Sequence, residues 1–472
     1  MRVLNTKKPY LKHHFDNKIF CYNSIMIKNL AIIDILKILI LVIFPGVSLG
    51  GLNFSDRLEQ HQLDNGLKII LIEDKRSPVV VSSIWYKVGS SYEYDGVSGI
   101  SHILEHMMFK GTKNTEPGEF SRLIKKVGGS ENAFTGRDFT GYYQKIHRDY
   151  LELALRLESD RMTNLVIKKE ELKNEIEVVK EERRLRTDDQ PTSKLFERIS
   201  IQAFGMRNYG IPIVGLMKDI NEISVNDLEK WYDSYYSPNN ATLIIAGDFN
   251  PVNALSLVKK YYGSIPRKNI KSNNLKTKHD IKYNDISIKD KISRPLIVLS
   301  FKKQPFSFNK KKDSYALDLL LELMDGGNSS RFTKNLIENE KIAIKTFISY
   351  DTYSRQENLI SIGGSPRENV SPEKLKNALI NQFEKFVKNG LVADELKNAK
   401  SRLLARSIYD FDSVFYQVMQ VGMLESKNYD WKLLDNYFDE IDQITEDDLM
   451  RAAKIFILEN KYIYSTIEPI YE

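Results

Sequence analysis

The chain has 472 residues, 42% hydrophobic and 28% charged, which is ample material for apolar cores and excludes disorder as a global description. Its formal net charge is +6, yet residues 1–50 hold seven Lys/Arg against two acids, and the rest carries 62 basic against 61 acidic side chains. The single cysteine, Cys21, excludes an intrachain disulfide framework and a thiolate metal site.

Leu30 to Leu49 is largely apolar, broken by Asp34 and Lys37, and Pro45-Gly46 closes the run ahead of small residues. A basic start, a short apolar block and a small-residue exit predict an export signal over residues 1–50, cleaved near Gly50. Met26 is an alternative start that leaves a signal of ordinary length. Left uncleaved, the segment would be a membrane anchor, although spanning takes ~20 apolar residues. The expected location is the periplasm or the exterior, with membrane contact only through an uncleaved leader.

Further along, Gln62–Leu71 reads as a turn flanked by strands, and Pro78–Tyr86 as a β-rich run. A helix carrying histidines follows from Gly99, and Ala241–Asp248 reads as a buried strand ending in a turn. Residues 264–285 are rich in Lys and Asn without apolar period, as in a linker. Beyond it the order recurs, with a strand at Arg294–Phe301 and a helix over Asp313–Met324. Asp219–Leu228 parallels Glu440–Leu449 at a constant offset of 221, with Ser224 and Thr445 placed as helix caps. The pattern predicts an α+β protein of two tandem homologous units, each a mixed or antiparallel sheet flanked by helices. The expected boundaries are 51–265 for the first unit, 266–285 for the linker and 286–472 for the second.

His102-Ile103-Leu104-Glu105-His106 is the most informative run. Residues four apart share a helix face, so two imidazoles reach one ion, and Glu105 lies on the same side. Zinc suits imidazole and carboxylate donors, and H-x-x-E-H reverses the commoner H-E-x-x-H. Two histidines are too few ligands. Glu175 and Glu182 lie seven apart on the stripe that holds Val178 and Val179, whereas Glu181 points about 100° away. On residues alone the reading of this Glu-rich helix as a solvated acid face prevails.

His102-x-x-Glu105-His106 followed 76 residues later by Glu182 resembles the pitrilysin/insulin-degrading enzyme family of zinc peptidases, in its half-length, processing-peptidase-like branch. Gly128-Gly129-Ser130-Glu131-Asn132-Ala133-Phe134-Thr135 is similar to that family's substrate-edge segment; Tyr209-Gly210, Gly215 and Tyr236–Asn240 also fall in family order. The resemblance implies one zinc held by His102, His106 and Glu182, Glu105 as general base, Glu175 behind the ligands, and a duplicated α+β fold with zinc in the first unit alone. It further implies that Asn132, Ala133 and Thr135 pair with an extended peptide at a sheet edge. Out of context, Asn132-Ala133 reads equally as a turn after Gly128-Gly129.

One departure stands out. Active single-chain relatives carry an Arg and a Tyr seven apart in the second half, and those positions align with Ile337 and Ile344. Isoleucines donate no hydrogen bond to an oxyanion, so the expected partner is a paralogue that lacks the zinc motif and supplies the pair; a homodimer is the alternative. Arg331 and Tyr350 are the nearby residues able to compensate. The expected activity is zinc-dependent endopeptidase action on unfolded peptides or small proteins. A non-catalytic assembly subunit that kept the fold is the competing reading. Nucleic-acid binding is not expected, since the mature chain has no basic stripe.

Overall fold

The computed structural model describes residues 54–270, 281–459 and 461–470. The expected leader with Cys21 and the middle of the expected linker over 266–285 lie outside the described residues. Two sheets organise the fold. The first uses β1 (Leu58–Gln62), β2 (Lys68–Glu73), β3 (Val79–Tyr86), β4 (Ser130–Thr135), β5 (Thr140–His147) and β6 (Ala241–Gly247), in the order β1-β2-β6-β3-β5-β4. The second uses β7 (Ile286–Asp290), β8 (Leu296–Lys303), β9 (Ala343–Ser349), β10 (Asn358–Pro366) and β11 (Tyr462–Pro469), in the order β7-β11-β8-β10-β9. Without β1, the two orders are the same. Each sheet contains one parallel pair, β2–β6 and β7–β11, at equivalent places.

Eight helices matter for the site and its support: α1 (Ile100–Met107), α2 (Lys169–Arg183), α3 (Pro191–Phe204), α4 (Val225–Tyr235), α5 (Lys311–Asp325), α6 (Glu395–Phe411), α7 (Val414–Ser426) and α8 (Glu446–Glu459). The repeat seen at an offset of 221 is a pair of capping boxes. Ahead of α4, the Ser224 amide donates to Asp227 Oδ2 at 3.0 Å and the Asp227 amide returns to Ser224 Oγ at 3.3 Å. Ahead of α8, Thr445 and Asp448 make the same two bonds at 2.9 and 3.4 Å. Each box satisfies amides at a helix start, and the strand that follows lies beside the central strand of its sheet.

Strand alternation sends side chains to both faces, and both faces of each sheet are apolar. In the first sheet Leu67, Ile69, Leu71, Val80, Ile84, Leu243 and Ile245 join the core that includes α1 and α4. The opposite face presents Ile70, Ile72, Val81, Trp85, Ile244 and Ala246. That face is covered by Val418, Met419 and Val421 of α7, a helix from the second half. The second sheet mirrors this: Leu296, Val298, Ile463 and Ile467 pack against Leu195, Ile199 and Ala203 of α3, from the first half. The halves therefore exchange a helix, and residues 51–472 form one body. Among the described residues no helix is long and apolar enough to cross a membrane.

Candidate metal centre

Helix α1 begins at Gly99, whose φ of 91° belongs to the left-handed region. A Cβ there would meet the carbonyl of Val214 at 2.6 Å, and one on Gly215 would meet Ser98 O at 2.4 Å, so two glycines let the helix start press on the 214–215 backbone. The buried carboxylate of Glu93 accepts the amides of Gly99 and Ser101 at 2.7 and 2.9 Å. Ile103, Leu104 and Met107 anchor α1 in the first core, which leaves His102, Glu105 and His106 on the remaining face, towards α2 and β4.

On α2, Leu172 and Val179 are buried and Glu175 is 8% exposed beside them. Val178, expected on the same stripe, is instead 49% exposed, because neighbouring helical residues differ by about 100°. Glu181 is exposed and pairs with Arg184. Glu182 Oε2 lies 3.3 Å from His102 Nε2 and 3.6 Å from His106 Nε2. Tetrahedral zinc with ligand bonds near 2.0–2.1 Å places its donors about 3.4 Å apart. Glu182 Oε2 is also buried and accepts no hydrogen bond, an orphaned acceptor aimed at both rings. The three donors thus fit one small divalent cation.

The surrounding groups hold this set in place. His106 Nδ1 bonds Glu175 Oε2 at 3.0 Å, which leaves Nε2 for the centre, and Lys110 pairs with the other Glu175 oxygen. Glu105 is 9% exposed and accepts from Thr135 Oγ1 at 2.5 Å. Burial pushes the Glu105 carboxyl up to about 7, against the pull of His106 and Thr135. Burial and the neighbouring His106 push His102 down to about 3. Burial opposes charge on His106 too, but the bond to Glu175 and the nearby negative charges of Glu182 and Glu105 outweigh it and raise the ring to about 10. Glu182 falls to about 2 although burial opposes this, through His106, His102 and Arg186. It is the convergence of the three donor atoms that suits a cation, with the buried carboxyl of Glu105, its proton affinity raised by burial, beside them.

Strand β4 is the outermost strand of its sheet. Its side chains divide: Ala133 packs on the core that contains α1 and Thr135 reaches Glu105, whereas Phe134 packs on the α7 side and Asn132 bonds Tyr143 across β5. Residues 132 to 135 are thus a strand segment and not a turn. Ile337 is half-buried against the second core, and Ile344 is exposed on the outer strand β9. Neither alternative is spare. Arg331 is clamped by Glu395 at 2.7 and 2.9 Å, and Tyr350 bonds the buried Asp318. Lys110 and Arg186 each follow a centre residue by four positions, Lys110 just past the end of α1 and Arg186 just past the end of α2.

In the second half, α5 packs on α6 as α1 packs on α2. There Glu322 meets Arg402 and Arg406 at 3.0 and 3.1 Å, so fixed cations neutralise the acid. Among the described residues, His102, His106 and Glu182 form the one group with metal-binding geometry.

Comparison with known proteins agrees with this division. A family model described as insulinase (peptidase family M16) matches residues 68–216, and one described as the peptidase M16 inactive domain matches 222–403. The chain is 32% identical to the zinc protease PqqE of Helicobacter pylori, over 79% of this chain and 84% of that protein. It is 24% identical to the zinc protease YmxG of Bacillus subtilis, over 87% and 98%. The crystal structure of a protease from Helicobacter pylori superposes with a TM-score of 0.79 at 28% identity, covering 88% of this chain and 99% of the other. The periplasmic protease PqqL of Escherichia coli shares the fold, with a TM-score of 0.75 at 20% identity over 88% of this chain and 48% of its own.

Proposed function

The chain belongs to peptidase family M16, the insulinase family, and from that premise we propose that it is a zinc-dependent endopeptidase acting on unfolded peptides or small proteins. The observation that carries this reading is the orphaned Glu182 Oε2 facing both imidazole Nε2 atoms beside the buried Glu105. His102, His106 and Glu182 would hold the ion, and Glu175 would fix the ring of His106. Bound there, zinc supplies Lewis acidity towards a peptide carbonyl and acidifies a water. Glu105 is the proton carrier: it accepts a proton from the attacking water and delivers it to the leaving amine. Thr135 holds one Glu105 oxygen in place. The outer edge of β4, at Asn132, Ala133 and Thr135, offers backbone groups to an extended peptide, a mode that reads main chain more than side chain.

Ile337 and Ile344 place no donor at the positions where relatives carry Arg and Tyr. Loss of one oxyanion donor costs ~10²–10³ in rate, so a heterodimer with a paralogue supplying that pair is the assembly we favour. The basic, apolar leader supports export to the periplasm or beyond.

The test is metal analysis of the purified chain together with the Glu105→Gln variant. About one zinc per chain in both proteins is expected, with peptide cleavage abolished in the variant. A metal-free protein, or a variant that cleaves as fast as a parent that is measurably active alone or with its partner, overturns the catalytic reading. Full activity of the isolated chain overturns the partner.

A further inference from the structure

Glu182 uses its two oxygens differently. Oε2 points into the centre between His102 Nε2 and His106 Nε2 and accepts no hydrogen bond, while Oε1 pairs with the guanidinium of Arg186. Arg186 lies just past the end of α2 on a π-helical turn, Arg184–Asp188. Such a turn is energetically poorer than α-helix and needs outside support. The support is Arg183: buried, it donates to Glu197 twice at 2.7 Å, to Gly215 O at 2.8 Å and to Asp188 at 3.2 Å. These bonds tie both ends of the turn to the backbone segment that seats α1. The position of Arg186 is therefore set by the same contacts that set the helix bearing the histidines.

We propose that Arg186 is a positioning residue that presents Glu182 to the metal through a single oxygen. An ionised carboxylate with two free oxygens can rotate and chelate an ion through both. Holding Oε1 in an ion pair removes that option and leaves a fourth position open for water or substrate. An ordinary surface pair at this spacing contributes little to stability and does nothing else. Here the acid partner is 18% exposed and its second oxygen is orphaned in the centre, so the pair acts on a donor atom. This inference rests on the zinc reading above and concerns how the ligand is held.

The test uses the full chain, stripped of metal, titrated with Zn²⁺ against a chromophoric chelator and separately loaded with Co²⁺ for its visible spectrum. Arg186→Met is expected to weaken zinc binding roughly 10–100-fold and to shift the Co²⁺ bands. Arg186→Gln and Arg186→Lys, which keep an N–H for Oε1, are expected to recover part of both. The metal-free melting temperature should stay near that of the parent, since the Arg186 side chain is 42% exposed. Parent-like affinity and Co²⁺ bands in Arg186→Met overturn the positioning role. A parent that takes up no Zn²⁺ overturns instead the zinc reading beneath it.

Discussion

Gly422 lies flat against the indole of Trp85, so close that a Cβ built on it would fall 2.0 Å from Cε2. The pair joins a helix of the second half to the central strand of the first sheet. Trp85 is fully buried and wedged between Phe134 and Phe139, with ring centroids 4.8 and 5.1 Å away, so it cannot step aside. Phe134 lies on β4, which makes this contact a support for that outermost strand as well.

Gly422→Ala is expected to destabilise the protein by ~1–3 kcal/mol through overpacking. Denaturant unfolding checks this: the midpoint should fall while the slope stays unchanged. A parent-like midpoint would mean that α7 can shift on the sheet.

Arg355 likewise reaches from the second half into the first. It donates to Tyr92 Oη at 2.5 Å and to the buried Asp138 at 3.2 Å, and it lies 4.6 Å over the Tyr92 ring. Arg355→Met leaves Asp138 a buried acid without its cation, and the expected loss is ~3 kcal/mol. Asp138→Asn in the same background should restore part of it, which a double-mutant cycle by thermal melting would read.

Glu93 predicts a pH dependence of stability. Burial raises its carboxyl to about 8 from an ordinary value of 4.5, against the pull of the two amides it accepts. Between those values the folded protein keeps a proton that the unfolded chain releases, so stability falls as pH rises through this window. Glu93→Gln removes the ionisation. The variant should lose less stability than its parent between pH 5 and 8, a difference visible in melting curves across ~3 pH units.

Zinc should stabilise the fold, because its donors converge only when α1 and α2 are packed. At a free concentration 100 times the dissociation constant, a ligand specific to the native state adds ~2.7 kcal/mol. Chelation should therefore lower the melting temperature, and re-addition of Zn²⁺ should restore it. His102→Ala should abolish the response. An equal response in that variant would place the bound ion elsewhere.

What is local and periodic is legible in the residues alone. Four-residue spacing put His102 and His106 on one face, seven-residue spacing aligned Glu175 with Glu182, and the recurrence of Ser224 at Thr445 announced the duplication. These relations follow from helix geometry and from repeated caps, which need no knowledge of the partner surface. What each face meets emerges only when the whole chain packs. An apolar stripe on α3 or α7 says that the helix must be covered, but many sheets satisfy that need equally, so the exchange between halves is invisible in either helix alone. The same holds within the centre. Thr135 reads as an edge residue until folding brings its hydroxyl to Glu105, and Arg186 reads as a surface charge until folding turns the other oxygen of Glu182 towards His102 and His106. Spacing along one element is set by bond geometry, whereas contact between elements is set by how all the apolar faces are buried at once.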